Sequence, residues 1–209
     1  MQAGLPVPGN SEMGGKGLVA TRSYALGEAV LDEWPSLTTV HESAPTATWE
    51  LTQALLEPAH AELGAWVEAE FAHNPQIFVR NGNPHAWDAA DVEYCGLLAS
   101  LMGLSERYVK RMYAAVAMIN VTASLPGDET HALGIYPLLS YINHSCAPNA
   151  LLELHGERRI LVALQPISAG TEITMPYMHP SMMELPREIR RRFLSDTFGF
   201  SCACSECSQ

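Results

Sequence analysis

Cys202, Cys204 and Cys207 form a C-x-C-x-x-C run that holds three of the chain's five cysteines. In a reducing compartment such crowding points to a metal. Zinc takes four thiolate or imidazole ligands in a tetrahedron, and one short loop can supply three of them. The fourth ligand has to come from elsewhere. Cys95 lies in the apolar run YCGLLASLM, where a small buried core residue is expected, so Cys146 is the better candidate.

Cys146 belongs to a second group, Tyr141-Ile142-Asn143-His144-Ser145-Cys146-Ala147-Pro148-Asn149. It reads as a turn rich in hydrogen-bonding side chains, with Pro148 barring a helix. His144 could serve as a ligand, a base or a structural residue, and its type alone does not choose among them. A third group is GGKGL, Gly14 to Leu18, whose glycines allow close approach of backbone to a ligand. It lacks the G-K-S/T ending of a phosphate loop and precedes a strand, not a helix. The fourth is GTEITMPY, Gly170 to Tyr177, a turn feeding a strand that ends in tyrosine.

The elements that must position these groups follow from periodicity. After the glycines come two short β-type runs, Leu18 to Ala20 and Ala29 to Trp34, with a turn at Ala25-Leu26-Gly27; together they predict a small sheet. From Thr46 to Ile119 the spacing turns helical. Trp49, Leu51, Leu55 and Leu56 mark one helix, and Leu63, Trp66, Val67 and Phe71 a second. Asp88 and Asp91 open a third, with Leu97, Leu98 and Leu101, and Ser105 with Glu106 starts a fourth, with Val109, Met112, Tyr113 and Val116. Asn81 to Pro84 is the loop between the two pairs. Strands then return: a hairpin of Leu151 to Leu154 and Arg159 to Ala163 about His155-Gly156-Glu157, and Ile173 to Tyr177. A charged helix over about Met183 to Ser195 leads to the cysteines.

The 209 residues, 47% of them hydrophobic, suffice for one full-sized domain with an appendage. Acidic residues outnumber basic ones 23 to 12, giving a net charge of −11. This disfavours nucleic acid as the main partner and suits a basic one. Apolar stretches are broken well short of the roughly 20 residues of a membrane span. The start, MQAGLPVPGNSEMGGKG, has no basic n-region or apolar h-region, so an intracellular, reducing setting is expected. Arg187, Arg190, Arg191 and Arg192 form a basic cluster that reads as a solvated or acid-pairing face.

Taken together and in this order, the four groups resemble the SET-domain family of protein lysine methyltransferases. The nearest subgroup is the SET-and-MYND type, by INVTASLP, GIYP and RRRFLSDTFGFSCAC. The segment from Pro35 to Trp49 has no cysteine, so that subgroup's MYND zinc module is not expected there, nor is its C-terminal helical domain after Cys207.

The resemblance implies an α+β, mainly β, SET fold of small sheets with a knot-like C-terminal threading. Residues 1–45 and 120–180 would be the two parts of the SET domain, 46–119 a helical insert and 181–209 a post-SET tail. It implies S-adenosylmethionine as methyl donor, touched by the backbone of Gly15, Lys16 and Gly17, held by Asn120, Asn143 and His144, and stacked by Phe200. Tyr177 would stand beside the transferring methyl, Tyr136, Met175 and Phe198 would line the lysine channel, and Cys146, Cys202, Cys204 and Cys207 would bind one Zn2+. The implied partner is a lysine-containing, basic protein or peptide, histone or non-histone, met by a monomer in nucleus or cytoplasm. The alternative is a catalytically inactive SET-like zinc scaffold.

Overall fold

The computed structural model describes residues 4–11, 14–41, 44–72, 89–122 and 131–208. They fall into two compact units, one of Met1–Pro35, Tyr136–Leu194 and Ser201–Gln209, the other of Ser36–Ile135 and Ser195–Phe200.

The first unit is built on two sheets. One has the order β1 (Val7–Asn10), β2 (Lys16–Val19), β10 (Glu172–Met175), β7 (Asn143–His144). In it β10 pairs antiparallel with β2, Ile173 opposite Leu18, and parallel with β7, Thr174 opposite Asn143. Leu18 and Ile173 are fully buried, as the alternation of a half-buried strand requires. The other sheet sets β9 (Arg158–Ala163) between β3 (Ala29–Glu33) and β8 (Ala150–His155). The expected hairpin is there. The two N-terminal runs, however, do not share a sheet: β2 and β3 each find distant partners, a choice local propensity does not encode. The tail carries α5 (Pro180–Met183), α6 (Arg187–Phe198), whose last turn is grouped with the second unit, and α7 (Ser205–Ser208).

The second unit joins four helices to a sheet of β4 (Leu37–His41), β6 (His131–Ile135) and β5 (Asn120–Thr122), in that order. The helices are α1 (Ala44–Leu56), α2 (Ala61–Glu70), α3 (Ala89–Met102) and α4 (Glu106–Ile119), near the expected bounds. The unit holding the helical insert is therefore wider than 46–119, because β4, β5 and β6 pair across it. Helical residues outnumber strand residues among those described, so the fold is mixed α+β more than mainly β.

Ser105 caps α4, its hydroxyl accepting from the N–H of Tyr108 at 3.3 Å. Val109, Met112, Val116 and Ile119 recur at three and four residues, and all are buried. Met112, Val116 and Ile119 pack with Leu51, Leu55, Val67 and Ile135. Truncating Met112 to alanine would cost about 2–5 kcal/mol there. In α3 the expected apolar side is partly misassigned. Cys95, Leu98 and Ala99 are buried, while Leu97 and Leu101 are 65% and 79% exposed. The buried Asp91 carboxylate accepts from Trp49 Nε1 at 2.8 Å and the Tyr113 hydroxyl at 2.6 Å, so α1, α3 and α4 share one polar anchor. Asp88 and the loop Asn81 to Pro84 lie outside the described residues.

Candidate active site and metal centre

The sheet β1-β2-β10-β7 brings together three of the four motifs. Gly15, just before β2, has φ of +76°, and a side-chain carbon built there would meet nothing within 4 Å. Gly17 is constrained differently. A Cβ there would stand 2.3 Å from Oε1 of Glu172, so only glycine lets β2 lie against that carboxylate. Asn143 completes the group, its Nδ2 donating to the carbonyl of Lys16 at 2.9 Å and to Glu172 Oε1 at 2.7 Å. Ser11 donates to Oε2 of the same carboxylate at 2.9 Å. Both amide hydrogens of Asn143 are thus used internally, and Oδ1 is left as the acceptor of that side chain.

Asn149, the second asparagine of the NHSCAPN run, binds β10 as a strand would. Its Nδ2 donates to the carbonyl of Glu172 at 2.8 Å and its Oδ1 accepts from the N–H of Thr174 at 2.9 Å. Glu33, at the end of β3, takes the N–H groups of Leu138 and Leu139 at 2.8 and 2.9 Å. It thereby caps the 3-10 turn Leu139–Tyr141 that feeds the motif. Burial raises the Glu33 pKa against these two bonds. Asn149, Glu172 and Glu33 were not singled out in the sequence. Asn149 and Glu172 carried a local signal, each lying inside a quoted motif, NHSCAPN and GTEITMPY, whereas Glu33 carried none.

Tyr177 follows β10, half-buried, with its hydroxyl donating to the carbonyl of Ile142 at 2.5 Å and its N–H to Nδ1 of His144 at 3.0 Å. Because Nδ1 accepts, the neutral ring carries its proton on Nε2, which lies 3.4 Å from the sulfur of Cys146. His144 is 1% exposed, and burial, helped by the charge of Arg190, pushes its pKa down to about 4. The imidazole is therefore neutral and used within the protein. What this residue can offer a ligand is its main chain. Burial, then the nearby Glu172 charge, pushes the Tyr177 hydroxyl pKa above the usual phenol range.

Cys146, Cys202, Cys204 and Cys207 converge, their sulfurs all within 4.8 Å of one another. Four sulfurs at about 2.3 Å from one zinc would be about 3.8 Å apart, so the set fits the ion with small adjustment. Cys146 and Cys207 already stand at 3.6 Å. Burial pushes up the thiols of Cys146, to about 11, and Cys202. Cys204 is also desolvated, but the N–H groups of Cys146 and Glu206 and the neighbouring thiols hold it down, to about 7. A dication among four sulfurs is the group that favours thiolate in such surroundings. Cys95 is not one of this group; it is fully buried, its thiol pushed up to about 12 by burial.

The remaining expected residues are placed less simply. Met175 ends β10, half-buried. Lys16 sends its side chain over the ring of Tyr141, 6.0 Å from Nζ to centroid. Tyr136, expected at the substrate channel, is instead a core side chain: it has no exposed surface, and its hydroxyl donates to the carbonyl of Glu157 at 2.5 Å. Its ring faces the buried Arg159 guanidinium at 5.6 Å. Asn120, which begins β5, and Phe198 and Phe200, both half-buried, are grouped with the second unit.

Residues 15–178 match the SET domain, well over half of the chain. Among curated proteins, the mouse histone-lysine N-methyltransferase SMYD3 is 39% identical over 75 residues, 36% of this chain and 17% of that protein. The Arabidopsis thaliana histone-lysine N-methyltransferase ATXR2 is 42% identical over 89 residues, 39% of this chain and 18% of that protein. The chain thus spans less than a fifth of either relative. Among solved structures, the SET domain of LSMT bound to lysine and AdoHcy covers 97% of this chain and 54% of that one, with a TM-score of 0.56 at 11% identity, a likeness of fold. No helix among the described residues is long and apolar enough to cross a membrane. On the extent of the domain match and the fold it shares, the chain belongs to the SET-domain family.

Proposed function

We propose that the chain methylates a lysine side chain of a protein substrate, histone or non-histone, with S-adenosylmethionine as donor and Tyr177 as its catalytic tyrosine. One observation carries this reading. Tyr177 is held at both its N–H and its hydroxyl, on His144 and Ile142, at the end of the strand that also pairs with the glycine-bearing β2. The names of the relatives and the lysine and AdoHcy of the solved neighbour support it.

The backbone from Gly15 to Gly17, open at Gly15, and the Oδ1 acceptor of Asn143 fit the zwitterionic amino-acid end of the donor. The main chain of His144, together with Asn120 and Phe200, would complete its site. When bound, the donor supplies an electrophilic methyl group on a sulfonium sulfur. The protein's part is then positioning, since displacement needs the lysine nitrogen opposite the S–CH₃ bond. Met175 and Phe198 would line the approach.

Tyr177 serves as an orienting group. Its proton is committed to the Ile142 carbonyl, so the phenolic oxygen offers lone pairs to an N–H of the incoming amine. A phenol pKa raised by burial keeps it protonated at neutral pH, which argues against a phenolate base. The substrate amine, ordinarily near pKa 10.4, loses its proton to solvent once desolvated beside a cation. Zinc on the four cysteines would fix the tail against the NHSC turn. The net charge of −11 suits a basic substrate, in nucleus or cytoplasm.

The test is incubation with labelled S-adenosylmethionine and a mixture of basic proteins, with mass spectra of the products. Label on lysine is the expected result. No labelled product across several substrates, with cofactor binding intact by calorimetry, would assign the chain to the inactive scaffold.

A further inference from the structure

Arg190 lies in the first turn of α6, in the basic cluster that the proposed reaction leaves without a role. Its neighbours Arg191 and Arg192 are exposed, but Arg190 is half-buried. One arm of its guanidinium donates to the carbonyl of Leu185 at 2.6 Å and reaches that of Met183 at 3.4 Å, closing the turn between α5 and α6. Nε is buried and has no hydrogen-bond partner among the described residues. The guanidinium is also near the sulfurs of Cys146 and Cys207, its charge acting on both, while its hydrogen bonds go to the two carbonyls.

Four thiolates around one zinc dication leave a net charge of about −2 on a cluster whose cysteines are almost all buried. A buried anion of that size needs a compensating charge and donors on its sulfurs. Neutral donors are present: the N–H of Cys146 lies 3.4 Å from the sulfur of Cys204, and Nε2 of His144 lies 3.4 Å from that of Cys146. Neither brings charge. A guanidinium is always charged, has five N–H donors in a planar fork, and can meet sulfur and carbonyl together.

We infer that Arg190 is a positioning residue of the metal centre, its guanidinium offsetting the negative charge of the zinc-bound thiolates of Cys146 and Cys207 while holding the α5–α6 turn against them. The inference rests on the zinc assignment. It gives the buried Nε and the half-buried cation a function that capping two carbonyls does not require.

The experiment compares the full wild-type chain with Arg190→Met and Arg190→Lys. Zinc content is read by mass spectrometry of the metal, zinc release by transfer to a chromogenic chelator, and thermal stability with zinc and after chelation. Arg190→Met should lose zinc to the chelator about ten- to a hundredfold more readily. Arg190→Lys, which restores charge but not the fork, should fall between. The difference in Tm between wild type and Arg190→Met should be larger with zinc than without it. Equal release from all three proteins, or the same loss of Tm in both states, would mean that Arg190 acts only as a carbonyl cap and would overturn the inference. If Arg190→Met does not fold, the Arg190→Lys comparison decides by the same two readouts. A wild-type chain that binds no zinc overturns the metal assignment itself, and the inference with it.

Discussion

Removing a single oxygen, by Tyr177→Phe, separates the proposed catalytic role from a structural one. The hydroxyl donates at 2.5 Å to the carbonyl of Ile142, a residue only 1% exposed. Its loss forfeits one hydrogen bond and leaves a buried carbonyl short of a partner, together about 1–3 kcal/mol of stability. For a chain of this size that lowers Tm by roughly 2–12 °C. The Tyr177 N–H bond to His144 is backbone and survives, as does the 5.5 Å approach of the two rings. The proposed donor site at Gly15 to Gly17 and Asn143 is left intact, so the Kd for S-adenosylmethionine should change less than about threefold, under about 0.7 kcal/mol. Turnover should fall about a hundredfold, about 2.7 kcal/mol of barrier. Calorimetry gives the Kd and a product assay gives kcat. Wild-type turnover in the folded variant would show that Tyr177 is not the tyrosine beside the methyl group. A matching collapse of cofactor affinity would show that its role is to shape the donor site.

Other outcomes are equally open to measurement. His144 is held neutral, with a pKa near 4 when folded against an ordinary value of 6.5, so the unfolded chain binds the extra proton between those values and stability must fall as pH drops through that window. The loss is roughly 3 kcal/mol; denaturant titrations of zinc-free wild type and His144→Ala between pH 4 and 6.5 should differ in slope, and parallel curves would refute the assignment. Cys146→Ser should lose zinc and activity while the helices of the second unit keep their far-ultraviolet signal, and Cys95→Ser should keep both zinc and activity; metal analysis of the pair is decisive. Met175 offers no hydroxyl to hold water beside the amine, so products beyond monomethyl-lysine are expected, and mass spectra showing only monomethylation at exhaustive turnover would contradict this.

The chemistry of this chain was more legible than its architecture. Cysteine crowding pointed to a metal site and, with Cys95 set in a helix, to Cys146 as the fourth member of the cluster, because sulfur has few other reasons to cluster; the four sulfurs do converge. Helices α1, α2 and α4 followed from apolar spacing, since their own faces form the core. Leu97 and Leu101 failed that rule because burial of α3 is decided by which neighbours it meets. Strand pairing was illegible for the same reason: nothing in Leu18 says that it will oppose Ile173. Glu33 was hidden because a lone charge carries no periodicity, while Glu172, inside GTEITMPY, and Arg190, inside the basic cluster, were visible as residues but not in their roles, which depend on partners distant in sequence. The channel role of Tyr136 was an inference by family likeness, and packing against Arg159 assigns that ring to the core.

The strand order β1-β2-β10-β7 also bears on when the site can exist. Its ladder joins Leu18 to Ile173 and Asn143 to Thr174, and the cysteine cluster adds a link from Cys146 to Cys207. Each closure must overcome the entropy of a long loop before its contacts reward it. The helices α1 to α4 and the core they share, Leu51 to Ile135, all precede Asn143 in the chain and can form early. During synthesis on the ribosome a nascent chain would therefore carry a structured helical unit long before it has a cofactor site, and agents that slow the late pairing, chelators among them, would yield protein that is folded by helical signal yet silent as a catalyst.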